Sequence, residues 1–170
     1  MAKFDVKIVD APYNVVPTIV CKVDDYTASS STQILAGEPV KLSAAGGNVV
    51  VKLADGDPEI GTNGDIVFGI AASDDTATSA ADGEVEVYAP LPGIIYRCKA
   101  TTPANLAEGI RYDTVCFDLS AGGVYTVDEN EGTDEDVHGL RIVDFDATNG
   151  TVDFEIKINA TRYGALIKSN

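Results

Sequence analysis

Almost every apolar run in this chain repeats with a period of two. In Thr151-Val152-Asp153-Phe154-Glu155-Ile156-Lys157-Ile158, the side chains of Val152, Phe154, Ile156 and Ile158 fall on one face, and Thr151, Asp153, Glu155 and Lys157 fall on the other. That is the pattern of an antiparallel strand with one face on a core and one in water. Similar alternation occurs at Phe4 to Val9, Val15 to Val23, Pro39 to Ala44, Asn48 to Leu53, Glu84 to Tyr88, Ile94 to Ala100, Tyr112 to Leu119, Val124 to Val127 and Leu140 to Phe145. The run from Ile66 to Ala72 is apolar throughout and predicts a more fully buried strand.

Glycine and Asx residues separate these runs, at Ala45-Gly46-Gly47-Asn48, Asp55-Gly56-Asp57-Pro58, Thr62-Asn63-Gly64-Asp65, Ala81-Asp82-Gly83, Ala121-Gly122-Gly123 and Thr148-Asn149-Gly150. Each is hairpin chemistry. Helical turns are expected only at Thr102 to Gly109, with Pro near the start and Gly at the end, and in the small-residue stretch Asp74 to Ala81. The prediction is an all-β protein of small antiparallel barrel or sandwich lobes with Gly-rich hairpins and very little helix. Pro90-Leu91-Pro92-Gly93 interrupts the strand pattern and suggests a division into residues 1–29 as an N-terminal arm or first strands, 30–92 as one β lobe and 93–170 as a second.

Charge narrows the function. The formal net charge is −15, from 27 acidic side chains against 12 Lys and Arg. Such a balance opposes sequence-independent binding to nucleic acid, which depends on Lys and Arg displacing counterions from phosphates, and it opposes an anionic membrane surface. With 45% hydrophobic residues the chain has enough apolar material for a real core. No apolar run reaches the roughly 20 residues of a spanning helix, and the alternating N-terminus lacks the apolar core of an export signal. The expectation is a soluble protein made in the cytoplasm. Cys21, Cys98 and Cys116, an odd number in apolar or alternating contexts, then read as buried thiols.

Motifs for chemistry are sparse. His138 is the sole histidine, no G-x-S-x-G elbow or C-x-x-C spacing occurs, and the Gly-Gly pairs lie between strands, not before a helix. The adjacent acids Asp24-Asp25 and Asp74-Asp75 sit in small polar stretches, where solvated carboxylates are expected. A catalytic role is therefore not expected. The segment Asp128 to Asp136 concentrates carboxylates, and Asp128-x-Asn130-x-Gly132 echoes the opening of a calcium loop. It has neither the glycine position nor the closing glutamate of an EF-hand, so Asp128, Asn130, Asp134 and Asp136 stand as possible calcium ligands against the alternative of a solvated hairpin loop. No firm metal site or cofactor follows.

Three stretches carry a likeness: Ile34-Leu35-Ala36-Gly37-Glu38-Pro39-Val40-Lys41-Leu42, Gly64-Asp65-Ile66-Val67-Phe68-Gly69-Ile70-Ala71-Ala72-Ser73-Asp74, and Ala81-Asp82-Gly83-Glu84-Val85-Glu86-Val87-Tyr88-Ala89-Pro90. Together they resemble the head decoration, or capsid cement, proteins of tailed bacteriophages. Pro92 to Ala100 and Tyr112 to Leu119 look like the second half of larger accessory capsid proteins, so the resemblance spans most of residues 34–158. It implies a non-enzymatic virion protein, made in the host cytoplasm and added to the outer head surface at capsomer junctions. The implied partners are the major capsid protein and the chain itself, as a homotrimer. Such proteins commonly add an N-terminal strand to the shell, which implies capsid contacts from Lys3, Phe4, Val6, Lys7 and Ile8. The same alternation fits an ordinary first strand of the fold. A different class of function, a virion or tail adhesion module of β-sandwich type that binds carbohydrate or a host surface, would need exposed aromatic platforms, and the chain has no Trp.

Overall fold

The computed structural model describes residues 6–24, 33–43, 47–53, 67–89, 91–120, 123–130 and 139–157. Among the described residues, eleven strands form two antiparallel sheets. One contains β2 (Thr18–Val23), β3 (Pro39–Leu42), β4 (Val50–Lys52), β5 (Val67–Ala71) and β6 (Gly83–Tyr88), in the order β2-β6-β5-β3-β4. The other contains β1 (Lys7–Asp10), β7 (Ile95–Lys99), β8 (Thr114–Leu119), β9 (Tyr125–Asp128), β10 (Leu140–Asp146) and β11 (Thr151–Ile156), in the order β1-β7-β11-β10-β8-β9. The all-β class read from the period-two runs is the observed one. The Pro-Gly interruption at 90–93 lies between β6 and β7; the five-stranded sheet is built from strands before it, whereas the six-stranded sheet takes β1 from before it and β7 to β11 from after it. The N-terminal segment supplies one edge strand to each sheet.

Each sheet curls without completing a ladder. In the first, Lys22 of β2 bridges Val49, just before β4, and its N–H donates to the Asn48 carbonyl at 3.0 Å. In the second, Ala100 bridges Val127 of β9, and the Thr101 N–H donates to the Val127 carbonyl at 2.8 Å. Inside the first curl lie Cys21, Val23, Val40, Val50, Ala71, Val85 and Val87. The larger core is aromatic: Phe154 stacks on Tyr96 with ring centroids 5.8 Å apart and receives the edge of Phe117 at 5.4 Å. Leu53, Val67 and Ile70 of the first sheet's connections and strand pack into this second core, so the two sheets share it.

β5 serves both cores. Its pairing with β3 skips Phe68, since Val40 faces Gly69 and Lys41 faces Val67. The slip sends Val67 and Ile70 to the shared core while Phe68 and Ala71 pack against the other. This accounts for the unbroken apolar run in the sequence. Gly69 is the residue that permits it, because a Cβ there would lie 2.6 Å from the Tyr88 carbonyl oxygen.

The helical turns expected at Thr102 to Gly109 are present as two short 3-10 turns, Pro103–Asn105 and Glu108–Ile110. Asp74 to Ala81 is not helical, which corrects one expectation, and of the Asp74-Asp75 pair Asp74 is exposed while Asp75 is not solvated. Asp75 is only 6% exposed. Its carboxylate accepts the N–H groups of Ile34 and Ala77, while Asp74 accepts the Ala36 N–H at 2.9 Å. Side-chain capture of backbone donors outcompetes helix formation here. Glu38, 1% exposed, completes the clasp by accepting from Leu35 N–H at 2.9 Å and Lys52 Nζ at 2.8 Å. Glu38 and Asp74 thus fasten the same turn.

Candidate functional site

Five of the large apolar side chains left exposed among the described residues, Val9, Tyr13, Val15, Ile19 and Val20, fall in one short segment. Val15 is 80% exposed and Val20 51%. Beyond that segment the exposed large hydrophobics are Tyr112 and Val124. Scattered single exposures need no explanation, whereas a run of them within one short edge segment calls for one.

The fold explains why these residues cannot turn inward. β1 and β2 are both edge strands, and the connector between them crosses from one sheet to the other. It is pinned by its backbone: the Ala89 N–H donates to the Pro17 carbonyl at 2.9 Å, and the Tyr13 hydroxyl reaches the Pro92 carbonyl at 3.4 Å. Gly93, at φ +83°, passes so close to Pro12 that a Cβ would lie 3.2 Å from the ring. On β2, Cys21 and Val23 occupy the core, while Ile19 and Val20 lie beyond it on opposite faces of the strand.

Of the residues implied to contact a shell, Lys3 and Phe4 lie outside the described residues. Val6 is buried, Ile8 is half-buried against the shared core, and Lys7 is exposed beside Arg97. β1 pairs with β7 through Lys7–Arg97 and Ile8–Tyr96, so residues 7–10 form a strand of the chain's own sheet. Their remaining edge borders a cleft of about 390 Å³, lined by Val6, Lys7, Ile8, the Ala36-Gly37 turn, Ala71-Ala72 and Tyr88.

The outer face of the six-stranded sheet is charged and paired. Arg97 grips Asp153 through both oxygens, at 2.5 and 2.7 Å, and this hydrogen bonding raises the guanidinium's pKa. Arg141 pairs with Glu155. Arg111 binds Glu108 at 2.7 Å and Asp144 at 2.6 Å and lies over the Phe145 ring, 5.1 Å from its centroid. Its pKa is raised, first by the hydrogen bond it donates to Glu108. Asp144 is held below the usual carboxylate range by the Phe145 N–H and then by Arg111. Asp146 is lowered by the Asn149 side-chain amide, at 2.6 Å, and the Asn149 N–H.

Asp128 and Asn130 of the acidic loop are described; Asp134, Asp136 and His138 lie outside the described residues. Asp128 accepts the Asn130 N–H at 3.0 Å, and Asn130 Oδ1 accepts from Asn105 Nδ2 at 2.9 Å. Glu129 is buried, holding the Thr102 N–H and Asn105. The start of this loop therefore fastens the β7–β8 connection. Among the described residues no group of three or more His, Cys, Asp and Glu is placed to hold a metal ion. Cys21, Cys98 and Cys116 are buried, and burial pushes the Cys21 thiol's pKa up.

Among the aromatic side chains, Tyr13 is exposed, Tyr88 and Phe68 are half-buried and Tyr96 is core. Val15, Ile19 and Val20 were legible only as an alternating run. The signal that distinguishes them is position on an edge. Neither a protein-family model nor a curated protein sequence matches the chain.

Proposed function

We propose that this chain is a non-enzymatic accessory capsid protein of a tailed phage. It binds the outer surface of the major capsid protein shell at capsomer junctions as a homotrimer, after synthesis in the bacterial cytoplasm, and stabilises the head. The observation that supports this reading most is the run of exposed apolar side chains, Val9, Tyr13, Val15, Ile19 and Val20, along the N-terminal edge segment of a chain of net charge −15. Covering a side chain as exposed as Val15 is worth up to about 1.5 kcal/mol, so one strip gives a modest contact. Three copies held together on a symmetry axis convert modest contacts into avidity. The acidic remainder of the surface keeps free copies apart before assembly.

The test is addition of the purified chain to expanded heads from a phage lacking its gene. Saturable binding with increased resistance to heat or chelator is expected. Heads that neither bind the protein nor gain resistance would overturn the proposal.

A further inference from the structure

The connection from β7 to β8 is exposed at most positions between Thr101 and Tyr112, with Leu106 as its buried anchor. Its two charged residues in that span, Glu108 and Arg111, neutralise each other across 2.7 Å. In a chain of net charge −15, this is a long exposed stretch with no net charge. Depletion of charge together with Tyr and Arg is the composition of the centre of a protein interface.

Tyr112 closes this stretch. It is 69% exposed and is the one non-glycine residue with positive φ, +69°, among the described residues. An L side chain is disfavoured in that conformation, whereas Asn and Gly accept it readily. The backbone is pinned there: Tyr112 N–H donates to the Ile142 carbonyl at 3.0 Å, Ile142 N–H to the Asp113 carbonyl at 3.0 Å, and Asp113 N–H to the Ile110 carbonyl at 3.1 Å. β10 slips register beside it, between Ile142 and Asp144, and the Arg111–Phe145 stack stiffens its base. Among the described residues the Tyr112 hydroxyl has no hydrogen-bond partner, and the ring belongs to neither core. The fold holds a strained backbone rigidly and presents an aromatic ring that it does not itself use. Observed strain of this kind points outward to a binding role.

We infer that Tyr112 is an anchor that docks into an apolar pocket rimmed by Lys and Arg on another protein. Charge selects that partner, because Glu108 and Asp113 flank Tyr112 in the chain, Asp144 lies on the neighbouring β10, and the one nearby base, Arg111, is already paired with Glu108 and Asp144. A second copy of this chain would oppose acid with acid. On the accessory capsid reading, on which the partner's identity rests, the pocket belongs to a shell subunit and the contact is separate from the strip on β1 and β2. Tyr112 leans on β10, three strands away from β1 in the sheet order.

The experiment compares wild type, Tyr112→Asn, Tyr112→Phe and Val15→Asp for thermal melting and for binding to gene-deleted heads, with a glycan array as counter-screen. Tyr112→Asn is expected to melt at or above the wild-type temperature and to bind heads at least tenfold more weakly. Tyr112→Phe is expected to stay within about threefold, the ring being retained. Unchanged binding by Tyr112→Asn, while wild type binds and Val15→Asp does not, overturns the inference and leaves the capsid reading standing. A melting temperature well below wild type for Tyr112→Asn makes the side chain a structural one and also overturns it. Tyr112-dependent glycan binding replaces the protein pocket with a sugar. Wild type that binds no heads removes both readings.

Discussion

The Tyr125 hydroxyl donates a 2.6 Å hydrogen bond to the Leu53 carbonyl, and both residues are buried. Tyr125 opens β9 in the six-stranded sheet, and Leu53 follows β4 in the five-stranded one. This polar contact ties the two curled sheets across the core they share. Around it Leu53, Val67 and Ile70 meet Phe117 and Phe154.

Tyr125→Phe therefore keeps the ring and removes the tie. The Leu53 carbonyl loses a buried donor, so a loss of about 1–3 kcal/mol is expected in urea unfolding, with a single transition retained. A change below the error of the midpoint would show that the link contributes nothing.

Gly83 and Gly109 form a matched pair. A Cβ on Gly83 would meet the Ala77 nitrogen at 2.0 Å, whereas a Cβ on Gly109 meets nothing within 4 Å. Backbone atoms cannot swing aside as a flexible side chain does, so Gly83→Ala is expected to cost at least about 1–3 kcal/mol. Gly109→Ala should stay within about 0.5 kcal/mol. Equal melting temperatures for the two variants would contradict the close approach of β6 to the Thr76-Ala77 segment.

Acid should weaken the fold through Asp144 and Asp146. Both carboxylates have lowered pKa values in the folded chain, Asp144 chiefly through the Phe145 N–H and Asp146 chiefly through Asn149. Their contribution is present above the unfolded carboxylate value of about 3.9 and is lost as pH falls through the lowered folded values. Asp146→Asn should lower the melting temperature at neutral pH and bring it closer to wild type at pH 3. A constant difference across that range would refute the assignment.

The apolar strip should separate binding from stability. Val15→Asp, at a position 80% exposed, is expected to alter unfolding free energy by no more than about 0.5 kcal/mol. Head binding should fall sharply, because a carboxylate would then be desolvated at the contact. A folded Val15→Asp protein that binds as well as wild type would exclude the strip from the interface.

Much of this architecture was legible because strand formation is local. The alternation from Thr151 to Ile156 reappears as β11 with Val152, Phe154 and Ile156 inward, and Thr148-Asn149-Gly150 forms the turn that joins it to β10, with Gly150 at φ +62°. What was not legible depends on distant partners. Asp75 reads as a solvated acid until Ile34, far away in the chain, supplies its N–H. Ile19 and Val20 read as ordinary members of an alternating run, and only the placement of β2 at an edge exposes both. Tyr112 carries no sequence signal at all, since its positive φ is imposed by pairing with Ile142.

The central claim is that an acidic two-sheet protein seats its apolar edge strip on a phage shell. Titrating the purified wild-type chain onto gene-deleted heads and measuring both bound copies and the temperature of head disruption tests it most directly. Saturation at a symmetry-related copy number, with a raised disruption temperature that Val15→Asp fails to give, is the predicted result. No saturable binding, or binding that leaves head stability unchanged, would contradict it.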